Sequence, residues 1–414
     1  MIKNLFKLGS FKKDVIWAAL GNFSLSIKSF FLLKIITSIG KFEYGLFSQI
    51  RHTASILVPI LSLGLLSSII RFADGKDDEK RVFSILLFSI INFFILALIL
   101  KFTKISTIFF GTYDSVFVNI LILWLLIHLL DQIFLSYLLA KRQFKVRGLI
   151  FAIFSILDIG IIYYIKTISH NIYAILYYLI ISMFVSLIIK LLFFDFKKIA
   201  LISLKPMISF SIMIFLGGVF GIIINYGDRY VITNYYDMKQ VGVYSAIYSI
   251  TNLILILLQP IEQALYPNIS YYWNNNKIKD VINYIKISVK YELIIGIIVV
   301  LFINIFKKQF ITTLTNDSFL DAENLVFPLS IGLFFFVISV PFFRIVSFVK
   351  TFYIFFISIL LGVFNLFGNI LAIKHYGLLG PAYVTFITNL LYFILFFSLA
   401  MRILRDKLMI VKKT

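Results

Sequence analysis

Residues Val82–Leu100 read VFSILLFSIINFFILALIL, nineteen residues without one charged side chain. At the rise of an α-helix such a run covers about 28 Å, close to the thickness of the hydrocarbon core of a bilayer. No water is present there to satisfy backbone groups, so the segment must be a helix that bonds its own N–H and C=O. Comparable runs fill the chain on both sides. Overall 61% of its residues are hydrophobic and 14% charged, against about half and about a quarter in soluble domains. A transmembrane barrel would instead show alternating segments of about ten residues.

Cutting the 414-residue chain where charges interrupt the apolar runs predicts twelve spans. They fall near 14–37, 45–68, 82–100, 116–138, 148–165, 172–194, 207–227, 241–262, 288–306, 323–343, 352–373 and 378–400. The first follows Lys3, Lys7, Lys12 and Lys13 and carries Lys28 inside it, so it reads as a retained span and no cleaved signal is needed. With the N-terminus inside, Lys and Arg of the inner segments outnumber the nine of the outer loops by more than two to one. That bias orients the chain with both termini in the cytoplasm. The net charge of +20 is then a topology signal plus attraction to anionic membrane lipids, and no nucleic-acid partner is expected.

Enzyme chemistry finds little room. No outer loop exceeds about 16 residues. The Gly-Lys pairs Gly40-Lys41 and Gly75-Lys76 are followed by Phe42 and Asp77, not by the Ser or Thr of a phosphate-binding loop. Cysteine is absent, which removes disulfides, thiolate metal sites and a cysteine nucleophile. We therefore expect neither an enzyme nor a cofactor or metal.

Gly45-Leu46-Phe47-Ser48 recurs as Gly242-Val243-Tyr244-Ser245, 197 residues later, each time after a long apolar helix and a short outer turn. Each half starts inside and holds an even number of spans, so the repeat is parallel. The expected fold is an all-α integral membrane protein of about twelve transmembrane helices in two pseudo-symmetric six-helix lobes, residues 1–195 and 207–414. A cytoplasmic linker, 196–206, joins them with Lys197, Lys198 and Lys205, and Pro206 opens the next helix.

Ionisable groups at membrane depth cost roughly 2.5 to 3.5 kcal/mol on insertion scales, so each needs a reason. Lys28, Lys34, Arg51 and Lys190 lie within spans. Lys190 stands about a turn from the inner end of its helix and is expected to snorkel to the interface. Lys28 is near the middle of span one, on a face with Gly21 and Ser24, and Arg51 shares its face with Ser48 and Ser55. Lys34 and Arg51 lie one and two turns below the outer surface, and Lys28 and Lys34 are about 120° apart around an ideal helix. Lys28, Arg51 and Lys34 are the candidate ligands for an anionic substrate. His128 and Asp131, with Trp124 and Gln132 on one face of span four, and Asp158, three residues after Ser155, read either as ion-coupling groups or as charge partners for Lys28. Asp228, Arg229 and Glu262, at span ends, are candidate gating or lobe-contact charges. Helix breakers at Gly217, Gly218, Gly221, Pro260, Pro267, Pro328 and Pro341 suit a moving carrier, although membrane glycines often only pack.

Several short motifs follow one another along the chain: Trp17 leading through Ile39-Gly40-Lys41-Phe42-Glu43-Tyr44-Gly45 into Phe47-Ser48, Arg71-Phe72, Asp228-Arg229, Val241-Gly242-Val243-Tyr244-Ser245-Ala246, and Tyr376-Gly377 with Gly380-Pro381-Ala382. In their order and spacing they resemble the polysaccharide flippases (Wzx-type, O-antigen or capsule repeat-unit translocases) of the multidrug/oligosaccharidyl-lipid/polysaccharide exporter (MOP) superfamily. Pro381 departs from the small residue usual there. The resemblance implies a two-lobed, MATE-like bundle that opens alternately to either side. It would carry undecaprenyl-pyrophosphate-linked oligosaccharide from the inner to the outer leaflet of a bacterial inner membrane, alongside other polysaccharide assembly proteins. Cations of the first two helices would grip the pyrophosphate, a role Lys28, Lys34 and Arg51 match by helix and depth. Two alternatives stay open. An ion-coupled drug or metabolite antiporter of the same superfamily would rely on an unpaired Asp131 or Asp158. An envelope glycan polymerase or ligase would be an enzyme with many spans but longer outer loops.

Overall fold

Each expected span, so far as it is described, is mostly helical, span two in two pieces, in the computed structural model, which describes residues 8–73, 77–111, 114–258, 269, 272–273, 275–349 and 351–413. The helices are α1 (Leu8–Thr37), α2 (Lys41–Leu61), α3 (Leu65–Arg71), α4 (Asp78–Phe102), α5 (Ser106–Phe110), α6 (Ser115–Ala140), α7 (Phe144–Ser169) and α8 (Ile172–Leu191). After them come α9 (Lys205–Tyr235), α10 (Met238–Thr251), α11 (Ile278–Ile305), α12 (Lys307–Leu314), α13 (Val326–Val349), α14 (Thr351–Tyr376) and α15 (Leu379–Lys413). Among the described residues ten helices are long and apolar enough to cross a membrane, and eleven if the bent pair α2 and α3 counts as one crossing. The 31-residue α9 stands where the seventh span is expected. The protein is a multi-pass membrane protein.

The chain divides into two compact units, Met1–Val219 and Phe220–Thr414, with the division inside α9, downstream of residues 196–206. Within that segment Phe196–Lys198 form a 3-10 turn, residues 199–204 are in no regular helix, and α9 begins at Lys205. The helices that carry the repeated motif, α2 and α10, begin 197 residues apart, and both copies of the motif are buried.

In the first unit α1 packs along α7, and α6 contacts α8, α4 and α2. The α1/α7 contact is close because glycines meet. A Cβ on Gly148 would stand 2.5 Å from the Trp17 carbonyl oxygen, and one on Gly21 would stand 3.2 Å from the Gly148 Cα. Gly148→Ala is therefore expected to push α1 and α7 apart and cost about 1–3 kcal/mol of stability, as overpacking does. Gly160→Ala on the same helix meets nothing within 4 Å and is expected to be neutral or slightly stabilising. Apparent melting temperatures of the two detergent-solubilised variants check this, and equal values would refute it.

Span two, expected as one helix, is broken instead, with α2 and α3 meeting at 65°. Pro59 removes a backbone donor inside α2. The helix then closes with Leu63 N–H on the Ile60 carbonyl and Gly64 N–H on the Pro59 carbonyl. This is the paired termination in which the chain turns left-handed, as Leu63 (φ 45°) and Gly64 (φ 70°) do. Asn92 Nδ2 donates to the Leu61 carbonyl across the break at 2.9 Å.

At one end of this unit Asp78 and Glu79 open α4, where carboxylates complement the helix dipole. Lys141 Nζ, just past α6, lies 3.1 Å from Asp78 Oδ2 and 3.0 Å from Glu79 Oε1. Burial by itself would depress the Lys141 pKa, but its hydrogen bonds to Glu79 and Asp78 hold it above the ordinary lysine range.

In the second unit α13 and α15 form the most extensive pair, with α14 against α15 and α10 and α11 against α13. Their core gathers Ile345, Val346, Phe342 and Phe396. α11 starts at Ile278 and α15 runs to Lys413, so residues expected in an inner loop and in a tail from Arg402 are helical.

Candidate functional site

Five helices of the first unit, α1, α2, α6, α7 and α8, surround a cavity of about 380 Å³, within the range of small-ligand sites. Its wall includes Lys28, Arg51, Trp124, His128, Asp131, Gln132, Ser155, Asp158 and Lys190. The polar faces read from spans one, two, four and five therefore converge on one space.

The charges in it are arranged in two pairs and a remainder. Lys28 Nζ bonds Asp158 Oδ2 and links α1 to α7. The carboxylate of Asp158 is 1% exposed. Its other oxygen accepts from Tyr178 Oη at 2.9 Å and from Ser182 Oγ at 2.6 Å, both on α8. Such saturation is what a buried carboxylate requires, since an unpaired one would carry its full desolvation cost. Lys190 Nζ bonds Asp131 Oδ1 and ties α8 to α6. The expectation that Lys190 snorkels is corrected here: its side chain is 1% exposed, because a partner carboxylate across the bundle offers more than the longer reach to water.

Arg51 is the remaining cation. It is exposed to the cavity, and no ion-pair partner stands beside it among the described residues. Ser55 lines the same cavity one turn further along α2, whereas Ser48 is buried and is not part of the lining. His128 lies within electrostatic reach of Asp131, Arg51 and Lys190. Ser155 Oγ is buried without a hydrogen-bond partner among the described residues. Three cations against two carboxylates leave one net positive charge, located on α2.

Lys34 does not join this group. It is exposed in the last turn of α1 and is not part of the lining, as the 120° offset from Lys28 implies. Sequence reasoning missed the contribution of α8. Tyr178, Ser182, Ser186 and Lys190 recur every fourth residue, a polar stripe on an otherwise apolar helix that points to the bundle interior.

Asp228 and Arg229 lie in the second unit and are wholly buried. Arg229 Nη1 is 3.1 Å from Asp228 Oδ1, and its Nε donates to Ser245 Oγ at 3.2 Å, the serine of the repeated motif. Its guanidinium sits 4.4 Å from the Tyr248 ring centre, with Tyr226 and Tyr244 also beside it. Cation–π contact of this kind, desolvated, adds to the pair and locks α9 on α10. Glu262, Pro260 and Pro267 lie outside the described residues. Among the described residues no three His, Asp or Glu side chains gather in a way that would hold a metal ion.

Residues 11–273, more than half of the chain, match the polysaccharide biosynthesis protein family, and residues 228–366 match the MatE family. Among solved structures, the inward-facing conformation of a multidrug resistance MATE family transporter of the MOP superfamily superposes with a TM-score of 0.71. It is 17% identical, over 94% of this chain and 96% of that one. A MATE structure in complex with MaL6 gives 0.64 over 97% of each chain at 17% identity. An outward-facing MATE transporter of the same superfamily gives 0.62 over 96% of this chain and 95% of that one at 18% identity. No curated protein matches the chain. The match over residues 11–273, the helical fold and the many membrane spans together show that this chain belongs to the polysaccharide biosynthesis protein family, with the fold of MOP-superfamily transporters.

Proposed function

We propose that the protein is a flippase that moves a polyprenyl-pyrophosphate-linked oligosaccharide, an O-antigen or capsule repeat unit, from the inner to the outer leaflet of a bacterial inner membrane. Both termini are then cytoplasmic, and other polysaccharide assembly proteins supply and consume the substrate. The observation that carries this reading is Arg51, a cation with no ion-pair partner among the described residues in a cavity whose lysines are each matched by an aspartate. A guanidinium presents five donors in a planar fork that suits a phosphate group.

Lys28 lines the same cavity but is held by Asp158 Oδ2, and Tyr178 and Ser182 donate only to Oδ1, so drawing Lys28 away would uncover a buried oxygen and Arg51 is the readier ligand. The sugar would pass through the hydrated cavity while the prenyl chain stays in lipid. The antiporter reading asks for a carboxylate open to an organic cation, and both Asp131 and Asp158 already hold lysines. No step of bond making or breaking is assigned to any residue, in keeping with a family and fold of transporters.

Depletion of the protein in cells tests the proposal. Lipid-linked oligosaccharide is expected to accumulate on the inner leaflet and to clear when the native chain is restored. Normal outer-leaflet glycan after depletion would sink the reading, and efflux of an organic cation that depends on Asp158 would replace it with the antiporter.

A further inference from the structure

We infer that the second unit holds an anionic phospholipid in a groove between the first half of α11 and the last turns of α15. The groove is about 970 Å³, at the upper end of small-ligand pockets. Its floor is hydrocarbon, with Leu293 of α11, Phe342 of α13 and Phe397 of α15. Its rim carries four cations, Lys286 and Lys290 of α11 and Arg402 and Arg405 of α15.

The sequence explains the arrangement. Lys286 and Lys290 are four apart and Arg402 and Arg405 three apart, so each pair shares one helix face. Toward the middle of each span the lining turns apolar, with Leu293 three residues after Lys290 and Phe397 five before Arg402. The four cations thus stand in the part of the groove that nears the side expected to be cytoplasmic, with Ile282 and Leu408 beyond them and Leu293 and Phe397 toward the middle of each span.

All four cations are exposed, and among the described residues none forms an ion pair with a carboxylate. The contrast with the first unit is sharp, since there Lys28 and Lys190 each have an aspartate. Four like charges around one groove repel one another unless an anion joins them. A water-soluble anion would meet the charges and leave the floor bare, and a neutral hydrocarbon would do the reverse. A lipid with a phosphate headgroup satisfies both the cations and the apolar lining, with its chains along the helices and its phosphate among Lys and Arg at the membrane surface.

The test uses the full chain in detergent and in nanodiscs, with lipid binding read by native mass spectrometry. Phosphatidylglycerol is expected to bind about ten-fold or more tightly than phosphatidylcholine of the same chain length. The combined variant Lys286→Gln, Lys290→Gln, Arg402→Gln and Arg405→Gln is expected to lose that preference. Neutralising Arg142, Lys145, Lys197 and Lys205 instead, which belong to the first unit and do not line the groove, is expected to leave it unchanged. Leu293→Trp fills the floor and keeps every charge, and it should weaken phosphatidylglycerol binding even where the quadruple variant folds poorly.

Equal binding of the two lipids, or unchanged preference in both groove variants, would overturn the inference. So would equal loss in the first-unit variant, which would mean general surface charge. Displacement of the lipid by millimolar inorganic phosphate would reduce the groove to an anion site. Tighter binding of a polyprenyl phosphate than of phosphatidylglycerol would assign it to the transported lipid instead.

Discussion

Arg51→Gln is expected to reduce substrate transfer about ten- to hundred-fold while the protein folds and melts as the native chain does. The magnitude is that of a hydrogen bond to a charged group, about 1.5–3 kcal/mol. Folding should be spared because Arg51 is exposed in its cavity and holds no carboxylate in place. Arg51→Lys keeps the charge but loses the two-pronged donor geometry, so it should recover only part of the activity. The measurement is the rate at which a lipid-linked oligosaccharide, labelled in one leaflet of a proteoliposome, becomes accessible in the other. Lys28→Ala is expected to differ in kind, since it removes one of the donors to buried Asp158 and should lower both transport and stability. A normal rate in Arg51→Gln would remove the anion grip from this cavity.

The second large effect concerns the pair of Lys190 and Asp131. Lys190→Met leaves the Asp131 carboxylate without its cation in the bundle and is expected to destabilise by about 3–5 kcal/mol. Asp131→Leu alone strands a lysine that is 1% exposed and should cost a similar amount. Combining the two changes should restore most of the loss, because replacing a buried pair by apolar residues of similar size is often close to neutral. Chemical unfolding of the four proteins in one detergent gives the coupling directly. A lysine that merely snorkelled would show a small effect for Lys190→Met and no coupling. Transport by the folded double variant then separates structure from mechanism: full activity would limit the pair to holding α6 and α8 together.

The apolar runs were enough to read the helices, because in lipid a backbone has no other way to satisfy its hydrogen bonds. The convergence of Lys28, Arg51, His128, Asp131 and Asp158 was legible for a related reason: each is too costly at membrane depth to face lipid. Even the separation of Lys34 from Lys28 follows from helical geometry. Which charge would pair with which was not legible. Asp158 and Asp131 were equal candidates for Lys28, and the choice depends on α7 lying against α1 through Gly148 and Gly21. Lys190 was misjudged because its distance to the end of its own helix says nothing of a carboxylate on α6. The stripe from Tyr178 to Lys190 was in plain view, and its meaning emerges only when α8 is set beside α6 and α7. The break after Pro59 had its signals too, a proline and a glycine five residues apart, but a bend costs little to an apolar segment and the hydropathy reading runs straight across it.

The sequence by itself determined the solvent, most of the helices and the side chains too costly to face lipid, since these rest on the burial energy of single residues and on local periodicity, while the family resemblance rests on the order and spacing of short motifs. The tertiary structure decided the partners. Lys28 with Asp158, Lys190 with Asp131, and Arg51 left over as the cation open to a ligand are outcomes of helix packing, and electrostatic energy at these depths depends on separations of a few ångströms that no single helix contains.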